Sequence, residues 1–366
     1  MKRIIAKLLL PLAAACVCAA CEEWTETERL DIRYPSLKEQ NPELYARYLQ
    51  ALRAYKAREH KLAIVAIDNV ATAPSQQNEH LTTLPDSIDW ILLENPAELH
   101  PTLAAEFGQV RRKGTRVGYT IDYDRIEARW AELLEEEESG AEPTDENNED
   151  DEEPQPDPGV LLEQRFLDFC HEQVGEQLLV CDRYGYDGIA LACTGRNMEG
   201  MAPEARAQYV ARQEAFFGTV NAWLADRTDI ELLFRGRPQY LADKSLLEGC
   251  ACIILPATAA ISQSELALTL AQASVEGVPA DRLLVEVATV SPLDPTDETG
   301  YFLTTDDDGK SRLRAIKGAA QWVVAPAAYP KAGIAVARAQ NDYFNVALVY
   351  KNIREAISIM NPAPKN

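Results

Sequence analysis

Short apolar runs alternate with helix-like stretches along most of this chain, and that alternation limits its fold more than any other feature. The runs are 62–67, 88–93, 116–121, 188–192, 230–234, 251–255, 283–287 and 333–337. Strands separated by helices are the signature of βα units around a parallel sheet. The stretches between carry helix signals. Asn41-Pro42 supplies a cap and a first-turn proline, and 101–113 stops at Gly114. Residues 203–225 are rich in Ala, Arg and Gln. Ser262-Gln-Ser-Glu265 is a capping box opening a helix closed by Gly277, and a last helix is expected over 343–360. Eight strands predict an α/β fold, a (β/α)8 TIM barrel, over an open doubly wound sheet. With 366 residues and 46% hydrophobic content, the chain can bury so large a core.

The N-terminus is of a different kind. Lys2 and Arg3 precede an apolar run ending in small residues, the pattern of a secretory signal over 1–20, and the run is too short to span a membrane. Cys21, after Ala19-Ala20, resembles the lipidated cysteine of a bacterial lipoprotein. Cys16 is a weaker competitor, and a plain cleaved signal is the alternative. Glu22-Glu23 is similar to the export signal of surface lipoproteins in Bacteroidota. Residues 21–36 then read as a lipidated tether and 37–366 as the barrel, which implies a cell-surface protein anchored to the outer membrane.

Export permits disulfides, but Cys170, Cys181, Cys193, Cys250 and Cys252 form no small disulfide framework, and buried free thiols are expected for most. The four His are dispersed and Cys250-Ala-Cys252 is too tight for a zinc ribbon, so no metal or other cofactor is expected. Between the third and fourth runs, residues 135–158 hold 13 acids and no Lys or Arg, over half of the net charge of −22. Such a stretch buries no apolar area and is expected to be a disordered loop. The acidity argues against a nucleic-acid partner.

The fourth run follows Tyr184-Gly-Tyr-Asp187-Gly188-Ile. It resembles strand four of the family 18 glycoside hydrolases, the chitinases and endo-N-acetylglucosaminidases, where Asp-Gly-x-Asp-x-Asp-x-Glu ends on the general acid. Asp187 and Gly188 match, while the later acids fall on Ala190, Ala192 and Thr194. These three share one strand face, which a barrel turns inward. Other stretches follow the lipoprotein branch of that family in order. They are Tyr34-Pro-Ser-Leu-Lys and Leu52 to His60 before the barrel, 232–238 with Arg235 at a usual Asp position, and the hairpin-like 300–322. Lys331 to Phe344 and the closing Asn361-Pro-Ala complete the series, so that the resemblance covers most of 30–366.

Family 18 hydrolysis is substrate-assisted, the sugar's acetamido group attacking while a Glu protonates the leaving oxygen. With Thr194 at the Glu position and no acid or Tyr in 254–258, the resemblance implies no catalytic residue and no enzyme. It implies instead a non-catalytic glycan-binding lipoprotein of a polysaccharide-utilisation system. Its ligand would be an N-acetylglucosamine-containing or N-glycan oligosaccharide, and its partners a TonB-dependent transporter and a companion glycan-binding lipoprotein. Side chains at predicted strand ends are the candidate contacts: Tyr119, Asp122, Tyr123, Arg235, Arg237, Tyr240, Gln340 and Asn341. Each has a plainer reading: Tyr119 as core, Asp122 and Asp124 as helix caps, Arg235 as the counter-charge of Asp187. Two rivals stay open. One is an endo-glycosidase using relocated carboxyls among Glu94, Asp122, Asp124 and Glu286. The other is a scaffold that binds only proteins.

Overall fold

All eight runs become strands of one closed parallel barrel. The computed structural model describes residues 37–140, 158–294 and 296–363. The signal, the tether, Cys21 and the stretch 141–157 lie outside them. The strands are β1 (Leu62–Ile67), β2 (Trp90–Leu93), β3 (Arg116–Asp122), β4 (Gly188–Cys193), β5 (Glu231–Gly236), β6 (Cys250–Pro256) and β7 (Leu283–Ala288). The antiparallel pair β8 (Tyr301–Thr305) and β9 (Arg312–Arg314) follows, and β10 (Gly333–Ala337) closes the ring against β1 and β7.

The helices are α1 (Leu37–Gln40), α2 (Pro42–Lys56), α3 (Pro101–Arg112), α4 (Tyr123–Gly140), α5 (Pro158–Tyr184), α6 (Pro203–Leu224), α7 (Gln263–Ala273), α8 (Ala315–Val324) and α9 (Lys351–Met360). By its contacts the chain divides within α2 into a small unit, 1–48, and the barrel unit, 49–366. In the first, Asn41 caps α2 by accepting from the Leu44 N–H at 2.9 Å.

Several expected boundaries shift for local reasons. Residues 135–140 belong to α4 rather than to a loop, and Arg129 holds Glu132 and Glu136 at 3.1 and 3.3 Å along that helix. The last helix starts at Lys351, not 343, because Tyr350 takes a left-handed conformation at φ 53°. The capping box at Ser262 is half as expected: its hydroxyl accepts from Glu265 N–H, but Glu265 reaches back to the Ile261 N–H. The five cysteines are all free and buried.

Strand side chains alternate between two cores. Outward residues such as Val65, Ile91, Tyr119, Ile189 and Phe234 meet the helices. Inward ones, Ile64, Trp90, Leu92, Ala190, Leu233, Cys252, Ile254, Leu284 and Ala335, fill the barrel. Trp90 closes its floor because Gly188 leaves room, a Cβ there lying 2.7 Å from the indole and 2.5 Å from the Glu231 carbonyl oxygen. Toward the other end the inward positions shrink to Ala66, Ala192 and Ala337, so the barrel opens into a mouth.

Candidate functional site

The mouth lies at the C-terminal ends of the strands, where barrel enzymes present their loops. It is a cleft of about 330 Å³ whose charged lining comes from Asp68, Glu94, Asp122, Arg125, Arg235, Glu286 and Arg338. Arg235 organises it. From β5 its guanidinium crosses the space left by the alanines to reach Glu94 at 2.6 Å, and it grips Glu286 on β7 at 2.8 and 3.0 Å. Arg125 in turn stands 3.8 Å from Glu94 and 3.5 Å from Asp122. Alternating charges thus run Glu286–Arg235–Glu94–Arg125–Asp122 across the barrel.

Burial sets the electrostatics of this row. The Glu286 side chain is 3% exposed. Burial pushes its carboxyl above the usual range although Arg235 pulls the other way. Burial likewise opposes the charge on Arg235, but Glu286 and Glu94 more than offset it and hold the guanidinium protonated. Asp122 is also raised by burial, against the backbone N–H of Arg125. Its Oδ1 accepts from the N–H groups of Asp124 and Arg125 at 2.9 and 3.3 Å, so it caps α4 from the rim.

The structure sorts the candidates by strand parity. Asp122 and Arg235 line the mouth, as do Glu94, Glu286, Ala192 and Thr194, while Ala190 lies deeper in the barrel. Tyr119 and Tyr123 do not reach it. Their odd positions on and after β3 turn them outward, where both are buried against the helices. Tyr119 donates its hydroxyl to the Gln177 carbonyl of α5 and Tyr123 to Glu127 of α4. Arg235 is not the counter-charge of Asp187, which Arg111 of α3 takes at 2.9 Å.

Arg237 and Tyr240 face each other beyond β5, 6.0 Å from charge to ring, outside the cleft lining. Gln340 holds Asp68 by two hydrogen bonds of 3.2 and 3.4 Å, and so acts on the mouth through that carboxylate. Asn341 opens instead on a separate cleft of about 160 Å³ beside Thr289 and Asn352. Asp124 accepts from the Thr194 N–H and ties α4 to the end of β4.

Asp68, Arg125 and Arg338 escaped the sequence reading. Asp68 was findable, because it continues the inward series 64, 66 in β1. Arg125 lies on a helix and Arg338 at a left-handed turn, φ 52°, where strand alternation gives no signal.

Comparison with known proteins gives this geometry a context. The family model for glycoside hydrolase family 18, BT1044-like, matches residues 25–359. A solved structure of selenomethionine BT1044 with a Glu-to-Gln substitution superposes with a TM-score of 0.61 at 16% identity, over 90% of this chain and 96% of that one. An endo-beta-N-acetylglucosaminidase from Cordyceps militaris gives 0.55 at 14% identity, over 86% and 95%. No curated protein matches the chain. The expectation that the chain is no enzyme is corrected by these matches, since the family is one of glycoside hydrolases. Missing acids at 190, 192 and 194 do not remove a chain from an enzyme family when other carboxyls stand in the same mouth.

Proposed function

The chain belongs to glycoside hydrolase family 18, in its BT1044-like branch, and on that premise we propose that its barrel mouth binds an N-acetylglucosamine-containing oligosaccharide. The observation that carries this reading is the row of planar carboxylate and guanidinium groups across a cleft of about 330 Å³. Such groups present paired acceptors and donors at the spacing of neighbouring sugar hydroxyls, and charge-assisted hydrogen bonds are the stronger kind. The row is built before any ligand arrives. Arg235 fixes Glu94 and Glu286, and Gln340 fixes Asp68, so little ordering cost remains to be met on binding.

Titration calorimetry with chitobiose and with a free N-glycan tests the reading. Saturable binding that Arg235→Met weakens at least tenfold supports it. The absence of binding in folded protein refutes it.

A second reading, hydrolysis by a relocated acid, is favoured by Asp122. This carboxyl pairs in register with Ala192 at the mouth, and burial raises its pKa, which favours the proton-bearing form a general acid needs. In that reading Asp122 gives its proton to the glycosidic oxygen as the bond to the anomeric carbon breaks and the sugar's own acetamido oxygen bonds to that carbon; water then displaces the acetamido oxygen and returns a proton to the Asp122 carboxylate. Asp122→Asn should abolish release of reducing sugar while leaving binding within about threefold, whereas equal turnover in wild type and variant rules this acid out. Anchoring through Cys21 to the outer membrane, and service beside a TonB-dependent transporter and a companion glycan-binding lipoprotein, complete the proposal. Palmitate labelling lost in Cys21→Ala tests the anchor.

A further inference from the structure

A cleft of about 490 Å³ opens at the starts of the strands, on the outer side of the floor that Trp90 closes and so at the end of the barrel opposite the mouth. Its charged lining is Arg53 and Lys56 of α2, Asp89 before β2, Arg111 of α3, Arg116 of β3 and Asp187 before β4. None of these six belongs to the site described above.

Pairing within the cleft decides its sign. Asp89 receives His60 Nε2 and the Ala63 N–H, each at 2.9 Å. His60 Nδ1 meets the Arg58 carbonyl at 2.7 Å, and an acceptor beside each ring nitrogen requires both N–H groups, hence an imidazolium next to Asp89. Asp187 is answered by Arg111 at 2.9 Å and by the Val117 N–H at 2.8 Å. Arg116 is answered by Glu231 at 2.8 Å and lies over the Trp90 ring.

Arg53 and Lys56 are left over. Among the described residues neither forms an ion pair with a carboxylate. Arg53 donates to the Arg112 carbonyl at 2.9 Å, and Lys56 to the Ile88 carbonyl and the Thr115 hydroxyl at 2.5 and 2.6 Å. Burial lowers the Lys56 pKa to about 8 although Asp89 and Asp86 pull the other way, as expected of an ammonium short of counter-charge. Gly114 lets the two side chains gather. It stands at φ 77°, and a Cβ there would lie 3.3 Å from both Arg53 Cγ and Lys56 Cδ. On a chain of net charge −22, two unanswered cations in one cleft are a local arrangement and not a property of the surface at large.

We propose that this basal cleft binds a phosphomonoester dianion. Such a group carries about −1.5 to −2 charge near neutral pH and offers three strong acceptor oxygens. That charge matches Arg53 and Lys56 together, whereas a carboxylate or a phosphodiester would leave one cation unanswered. The Arg53 guanidinium presents a planar fork to two oxygens, and the Lys56 ammonium keeps one N–H beyond the two already bonded. The volume exceeds that of a bare phosphate and leaves room for the alcohol that bears it. A soluble phosphomonoester and a lipid headgroup present the same dianion, and the test separates them.

Titration calorimetry on the full chain, just above neutral pH and at constant ionic strength, takes inorganic phosphate and acetate as probes. Phosphate should bind saturably with a Kd below about 1 mM, and acetate at least about tenfold more weakly. Arg53→Gln, at an exposed position, and Lys56→Met should each weaken phosphate about tenfold or more. Arg112→Gln removes an exposed charge outside the lining and should change affinity less than about twofold. Phosphate should also raise the Tm of wild type and Arg112→Gln but not that of Arg53→Gln. Flotation with phosphatidylcholine vesicles, with and without phosphatidic acid, names the source. Capture that requires both phosphatidic acid and Arg53 assigns a lipid headgroup, and phosphate binding without such capture assigns a soluble phosphomonoester. A folded wild type that binds no phosphate overturns the site. So does equal affinity for phosphate and acetate, or an Arg112→Gln loss as large as that of Arg53→Gln, since either marks diffuse charge alone.

Discussion

Arg235→Met is the sharpest probe of the mouth, because it keeps the aliphatic stem and removes the charge that holds two buried carboxylates. Glu94 and Glu286 have side chains 9% and 3% exposed, and Arg235 meets them at 2.6 and 2.8 Å. Breaking such a pair by deleting one partner costs about 3–5 kcal/mol, since the other charge stays buried without compensation. At about 2.1 cal/mol/K of unfolding entropy per residue, a barrel of roughly 300 residues should lose roughly 5–8 °C in Tm.

The loss should depend on pH, and its sign follows from Glu286. Burial already raises that carboxyl above its unfolded value, and Arg235 is what opposes the rise. In the variant it rises further. Above the unfolded pKa of 4.5 the folded protein then holds a proton that the unfolded chain has lost, so stability falls as pH climbs through the window up to the folded pKa. Urea unfolding at pH 5 and pH 8 should show the variant nearer to wild type at pH 5. Adding Glu286→Gln should recover at least about 1 kcal/mol at pH 8, as expected for directly coupled neighbours. A loss below about 1 kcal/mol that is equal at both pH values would refute the claim that this row is a desolvated network.

Gly188→Ala should destabilise by about 1–3 kcal/mol through overpacking, because the added methyl meets both the Trp90 ring and the Glu231 carbonyl; chemical denaturation reads the change. Asn69→Ala should free Asn95, to which it is hydrogen-bonded at the rim, at a cost of about 1–3 kcal/mol and speed amide exchange over 95–98. Lys56 is a pH test at the opposite end of the barrel, where burial lowers its pKa to about 8 while it donates to Thr115 at 2.6 Å. Between about 8 and 10.5 the unfolded chain binds the extra proton, so wild-type stability should gain from this group as pH rises. Lys56→Met should remove that gain when the two pH–stability curves are subtracted.

Most of the barrel was legible because each strand is buried on both faces and so writes itself as an apolar run. Residues 62–67 and 333–337 were placed to the residue for that reason. Where the reading slipped, something other than hydrophobic burial decided. An acidic tail still completes α4, because Arg129 offsets its charge along the helix. Residues 343–350 look helical but are interrupted at Tyr350, whose turn is held by its N–H on the Asp342 carbonyl at 3.0 Å.

The mouth was harder to read, for a reason that bears on the whole family likeness. Strand alternation says which residues point inward, and it correctly turned 190, 192 and 194 toward the interior. It cannot say that a long side chain from β5 will lie across the space that small residues on β4 leave open. Arg235, Glu94 and Glu286 come from β5, from just past β2 and from β7, and only barrel closure sets them within hydrogen-bonding distance. Judging the site strand by strand, as loss at each strand end, therefore undercounts its chemistry. The acids absent from β4 are matched by Asp68, Glu94, Asp122 and Glu286 contributed by four other strand ends. A sequence motif reports one strand, whereas this site is a property of the ring.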